Sequence, residues 1–204
     1  MTATPRIHRE QTCLPLLGGA VAAMVLVLPG LASSAPALTD ILAASKVSPP
    51  ARVDFQEERH SPLFDEPLVL DGYLEYLDRG VLNKIIEAPF EEAFLIDDGE
   101  IRLERDGETR RISLDRSQEL AAIIGAIEAI LSGEANRLET LFEYEVSGTA
   151  ADWSIELKPR SRRVARRVAL LRVSGNSDSV TRILIDLGDD EYQVMNILRA
   201  APEP

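Results

Sequence analysis

Side chains able to carry out bond chemistry are few. The 204-residue sequence holds two histidines, His8 and His60, and one cysteine, Cys13. A histidine with no second histidine or cysteine beside it makes neither a zinc site nor a nucleophile–base pair. His60, at a strand end, reads as a solvated residue. The sequence contains no Gly-x-Ser-x-Gly elbow and no phosphate-cradling glycine loop. Carboxylates do occur in pairs, at Glu91/Glu92, Asp97/Asp98 and Asp189/Asp190. They sit beside turn residues, and turn chemistry accounts for them. Glycosidase work would need one pair buried at a set separation. The expectation is a protein that is not an enzyme and holds no cofactor or metal.

One charged feature stands out. The formal net charge is −12, yet Arg160, Arg162, Arg163, Arg166, Arg167 and Arg172 lie close together. So acidic a chain argues against nucleic acid as a partner and favours a soluble monomer. For the arginines there are two readings. Arg162, Arg163, Arg166 and Arg167 form a patch for lipid headgroups or an acidic partner, or they are a solvated connection whose charge discourages strand-edge pairing. The second reading is the simpler one.

The N-terminus reads as a secretory signal. Arg6, His8 and Arg9 precede an apolar run from Leu14 to Leu28, and Ala35-Pro36-Ala37 fits a cleavage site. The run is short of the roughly 20 residues needed to span a bilayer, and Pro15, Gly18 and Gly19 interrupt it. Residues 1–37 are therefore expected to be removed, leaving 38–204 as one exported domain. Cys13 leaves with them, so the mature chain is held together without disulfides.

The element on which the rest is organised is Gln118 to Leu131. Leu120, Ile123, Ile124, Ile127, Ile130 and Leu131 recur at helical spacing. The other side carries Ala121, Ala122, Ala126 and Ala129 with Gly125 rather than charge, so the helix wants cover on more than one side. Around it the pattern is of strands. Val53 and Phe55 alternate with Arg52, Asp54 and Gln56, and Leu70, Gly72, Leu74 and Tyr76 share a face of the next strand. Asp98-Gly99 and Asp106-Gly107 join alternating runs as hairpin turns. After the helix and a shorter one over Glu134 to Phe142, Trp153, Ile155 and Leu157 share a strand face. The count is about eleven antiparallel strands. So many twisted strands tend to curl, and the apolar helix is the natural filler of the concave side.

In order along the chain come Phe55-Gln56, Gly72-x-Leu74-x-Tyr76, Leu82-x-Lys84 leading to Pro89, Asp98-Gly99, the helix with Leu131-x-Gly133, then Phe142, Gly148 and Trp153-x-Ile155-x-Leu157-x-Pro159. The ordered set resembles the LolA family of periplasmic lipoprotein carriers, in particular its divergent branch. The resemblance implies a mainly β fold: a strongly curved antiparallel sheet, a half-open barrel, with a helical lid on its concave face. It implies a periplasmic protein that shields acyl chains of lipoproteins, or of another acylated lipid, on the way from an inner-membrane donor to an outer-membrane acceptor. By position, Phe55, Leu70, Leu74, Tyr76, Trp153, Ile155 and Leu157 would line the wall. Leu120, Ile123, Ile124, Ile127, Ile130 and Leu131 would form the lid. The family's carriers have an Arg beside a Pro after the second strand, which helps hold the lid shut; the aligned stretch here is Asp78-Arg79-Gly80. The competing reading is an exported envelope protein that binds a protein partner through its arginine-rich segment.

Overall fold

A computed structural model describes residues 35–198 of the chain. The expected signal peptide lies outside the described residues except for its last three, Ala35-Pro36-Ala37.

Helix α1 spans Leu38–Ala44 and starts from Ala37. Six strands follow: β1 (Ala51–His60), β2 (Leu68–Asp78), β3 (Val81–Ala88), β4 (Glu92–Asp97), β5 (Glu100–Arg105) and β6 (Glu108–Ser113). A single turn of 3-10 helix at Leu114–Arg116 leads into α2 (Gln118–Ser132), and α3 (Ala135–Leu141) comes next. Five more strands complete the described residues: β7 (Phe142–Thr149), β8 (Asp152–Pro159), β9 (Leu170–Asn176), β10 (Ser179–Gly188) and β11 (Glu191–Leu198).

All eleven strands form one antiparallel sheet in the order β6-β5-β4-β3-β2-β1-β11-β10-β9-β8-β7. The pairing of β1 with β11 joins the two meanders, with Phe55 opposite Ile197. The sheet is curved and does not close, so β6 and β7 are its free edges. Asp98-Gly99 and Asp106-Gly107 both take left-handed backbone at the two turn positions, φ 45° and 74°, then 52° and 78°. That is the turn whose twist matches a right-handed hairpin. Gly72 is required for a different reason. A Cβ there would lie 2.0 Å from the Ile85 carbonyl oxygen, at the register shift between β2 and β3.

Helix α2 ends at Gly133 in left-handed conformation, φ 77°, which satisfies the last turn without a Cβ clash. It lies in the hollow of the sheet and uses two faces. Ala122, Ala126, Ala129 and Ile130 enter the larger core with Trp153, Ile155, Leu157, Leu171 and Val173 of β8 and β9. Ile124, with Leu120, Ile127 and Leu131, enters a second cluster with Tyr76, Leu82, Ile96 and Ile101 of β2 to β5. On its outer side α3 covers Gly125, and the Arg137 guanidinium donates to Glu128 at 2.7 Å. The expectation of cover on several sides is met. Its detail is corrected: the tightest contact is the alanine face, where Ala126 and Ala129 are fully buried, while Leu120, Ile123, Ile127 and Leu131 stay half-buried. The backbone neighbours of α2 are α3, α1 and the short turn at Val164–Arg166.

Candidate functional site

A helix that rests on both arms of a curled sheet bridges its middle. Beneath α2, at the seam where β1 meets β11, lies a cavity of about 280 Å³. Its roof is Ile127, Ile130 and Leu131 of α2. Val53, Leu74, Tyr76 and Leu82 of β1 to β3 form one side, and Val173, Val180, Ile183 and Ile197 of β9 to β11 form the other. Polar side chains are few: Ser45, Arg52, Asp178 and Ser179. Ser45 is spent locally, its hydroxyl donating to the Ile41 carbonyl at 2.9 Å. The Arg52 guanidinium lies 3.4 Å from the Tyr73 ring centroid. Wider hollows of about 460 to 570 Å³ are polar grooves over hairpin turns, lined by residues such as Glu91, Arg105 and Asp106 or Asp97 and Asp98. A largely apolar hollow with a few polar groups is the form a site for a greasy ligand takes.

The residues expected at the site divide. Leu74, Tyr76, Ile127, Ile130 and Leu131 line the cavity. Leu120 and Ile124 belong to the neighbouring contact with β4 and β5, and Ile123 packs on the larger core. Phe55 and Leu70 are buried with Ile86 farther along the sheet. Trp153, Ile155 and Leu157 are buried in the larger core and do not line the space. The Trp153 ring fills the position of a missing side chain: a Cβ on Gly175 would lie 2.3 Å from Trp153 Cζ2. Val53, Leu82, Val173, Val180, Ile183 and Ile197 also line it and were not among the residues expected there. Strand alternation marks Val53 and Val173 as inward, but it does not say which inward residues meet a gap.

Further along the inner face is a group of buried charges that the sequence reading missed. Glu57 is 1% exposed. Its carboxylate accepts from Lys84 Nζ and, at 2.7 Å, from Arg59 Nε. Burial pulls the Lys84 ammonium below the ordinary lysine range, with the charge of Glu57 opposing that pull. Glu92, expected at a turn, is instead buried on β4 and lies 3.6 Å from Arg105. The signal was present: Glu57 and Arg59 share the parity of Val53 and Phe55 on β1. His60 is corrected too; it stacks on Tyr192 at 4.2 Å between ring centroids and approaches Glu58 at 3.2 Å.

The arginine cluster also splits. Arg172 donates to Glu156 at 2.9 Å and Arg160 to the Glu139 carbonyl at 2.9 Å. Arg162, Arg163, Arg166 and Arg167 are exposed, and none forms an ion pair among the described residues. Val164 and Val168, both buried, anchor the segment that carries them. Arg79 reaches Glu134, just past α2, at 3.8 Å, with both side chains well exposed.

A curved, unclosed antiparallel sheet with a helix bridging an apolar hollow defines a lidded half-barrel. Residues 32–194 match the family described as outer membrane lipoprotein carrier protein LolA-like, and the chain belongs to that family. Two solved structures are similar to it. A LolA superfamily protein, NE2245 from Nitrosomonas europaea, is 14% identical, with 80% of this chain and 93% of that chain covered and a TM-score of 0.43. LprF from Mycobacterium bovis is 12% identical, with 84% of this chain and 97% of that chain covered and a TM-score of 0.38. No curated protein sequence matches.

Proposed function

We propose that the protein is an exported, periplasmic carrier that shields acyl chains, of a lipoprotein or another acylated lipid, between its sheet and α2. One observation carries this reading. Ile127 and Leu131 of α2 stay half-buried above an apolar cavity walled by both arms of the sheet. Each methylene transferred from water contributes about 0.8 kcal/mol, so a long chain gains on the order of 10 kcal/mol gross. Aliphatic contact is non-directional and suits chains of varied length. The cavity is slightly smaller than the ~300–1,000 Å³ of typical small-molecule sites. A whole chain therefore enters only as α2 lifts, and lifting loosens the grip enough for delivery. The acidic exterior keeps the loaded protein in solution, and no step of the cycle makes or breaks a bond. Donor and acceptor are transient membrane partners in this scheme, and the carrier works as a monomer.

Native mass spectrometry of protein purified from its host periplasm tests the reading, with a fluorescent acyl probe added to delipidated protein. Bound acyl lipid, or probe binding abolished by Ile127→Glu in a protein that still folds, is expected. Cargo-free protein that refuses the probe overturns it. The four unpaired arginines favour a second reading, an envelope protein that binds an acidic partner. Changing Arg162, Arg163, Arg166 and Arg167 to Ser together abolishes partner capture under that reading and leaves probe binding intact under the first.

A further inference from the structure

The buried charges on the inner face have no part in holding an acyl chain, and stability does not account for them. Moving an ion out of water costs several kcal/mol, and buried ion pairs are commonly no better than apolar side chains of the same volume. Their placement is specific. Lys84 on β3 pairs in register with Leu74 of the cavity wall, and Glu57 on β1 pairs with Leu70. Gly72 lies between those two β2 positions and carries no side chain in the way, so Lys84 crosses β2 to reach Glu57. The layering matters most. The Glu57 side chain is 2% exposed, whereas Lys84 and Arg59 retain 18% and 28%. The carboxylate lies beneath and the two cations lie above it, a net charge of one positive for these three groups; the buried Glu92 carboxylate on the same face also acts on Lys84 but has its own cation, Arg105, at 3.6 Å. Among the described residues Glu57 is the only hydrogen-bond partner of either cation. Both ammonium and guanidinium keep N–H donors to offer.

The path from the cavity to this pair is greasy. Val53 lines the cavity, and Glu57, four residues on along β1, is about 13 Å away at strand rise. Phe55, Leu74, Phe94, Met195 and Ile197 pave the interval, all but Phe55 half-buried. We propose that Lys84 and Arg59, seated on Glu57, form an oxyanion subsite that takes the headgroup of a single-chain amphiphile whose tail lies under α2. This rests on the carrier reading and narrows the cargo to amphiphiles ending in a carboxylate or phosphate. Lys84 supplies a compact charge and Arg59 a two-pronged donor, a combination that suits either group.

The test compares hexadecanoate with hexadecanol, and both with inorganic phosphate, by calorimetric titration of the delipidated full chain. Hexadecanoate is expected to bind more tightly than hexadecanol, and phosphate alone weakly. Loss of one charge-assisted contact weakens binding by about tenfold or more, so the hexadecanoate-to-hexadecanol affinity ratio should fall by that factor in Lys84→Met. Because Lys84→Met removes one partner of a buried carboxylate and can unfold the chain, Arg59→Gln, which leaves the Glu57–Lys84 pair in place, is measured alongside. A ratio near one in the wild type, or unchanged in a folded variant, overturns the subsite while the carrier reading stands. Phosphate binding as tight as hexadecanoate overturns it in favour of a free-anion site. Failure of both amphiphiles overturns the carrier reading and the subsite with it.

Discussion

The two faces of α2 are buried in different ways. The face with Ala122, Ala126 and Ala129 belongs to the larger core, together with Leu38, Ile41 and Leu42 of α1, Leu138 of α3 and the fully buried Ile155, Leu157, Leu171 and Val173 of β8 and β9. Toward the cluster with β2 to β5 it presents Leu120, Ile124, Ile127 and Leu131, of which all but Ile124 stay half-buried. The separation of two packed elements depends on the side chains at their contact. The small residues Ala122, Gly125, Ala126 and Ala129 let α2 sit close under its helical neighbours. The aliphatic face, held at that position, leaves the cavity at the β1–β11 seam. The guest space takes a wall from each arm, β1 to β3 on one side and β9 to β11 on the other, with α2 as its roof.

The sharpest way to break that comparison is to attack the larger core. Trp153→Ala should cost about 3–5 kcal/mol, the range for a fully buried aromatic ring, read as a lower urea midpoint. A loss below 1 kcal/mol would show that this core is not closed. Ala126→Leu should destabilise by about 1–3 kcal/mol through overpacking, and it should also raise probe affinity by displacing α2. Unchanged stability would mean that the alanine face has room. At the cavity roof, Ile127→Ala should cost only about 1 kcal/mol, below the ~2–5 kcal/mol of a closed core, and should weaken acyl-probe binding several-fold. A core-sized loss with unaltered probe binding would reverse the assignment of the two faces.

The smallest expected effect concerns Lys84. Its folded-state value lies below the ordinary 10.5 because burial penalises the charged form. Between the folded value and 10.5 the unfolded chain binds more protons than the folded one, so stability rises with pH across that window. Relative to Lys84→Met, wild-type stability should gain as pH climbs toward 10.5. A difference that stays flat across the window would place Lys84 in solvent.

Most of the architecture was legible from residue order. Alternation located β1 to β11 within a few residues, because a strand's side-chain period is two and one face of this sheet is covered. The Asp-Gly turns and Gly133 at the end of α2 were legible because left-handed backbone admits few residue types. Periodicity also showed a helix with no charged face. What it did not show is which apolar residues would be matched. Leu74, Trp153 and Ile155 read alike in sequence, yet Leu74 borders a gap and the other two are sealed. That difference depends on how far apart two surfaces come to rest, which only the packing of elements distant in the chain decides. Glu57 was hidden for the same reason. Its parity placed it inward, but only the fold brought Lys84 across from the second strand over to make an inward carboxylate tolerable. Local propensity determined the elements; the spacing between them, which makes both the cavity and the charged wall beyond it, exists only once the sheet has curled and the helix has come to rest in it.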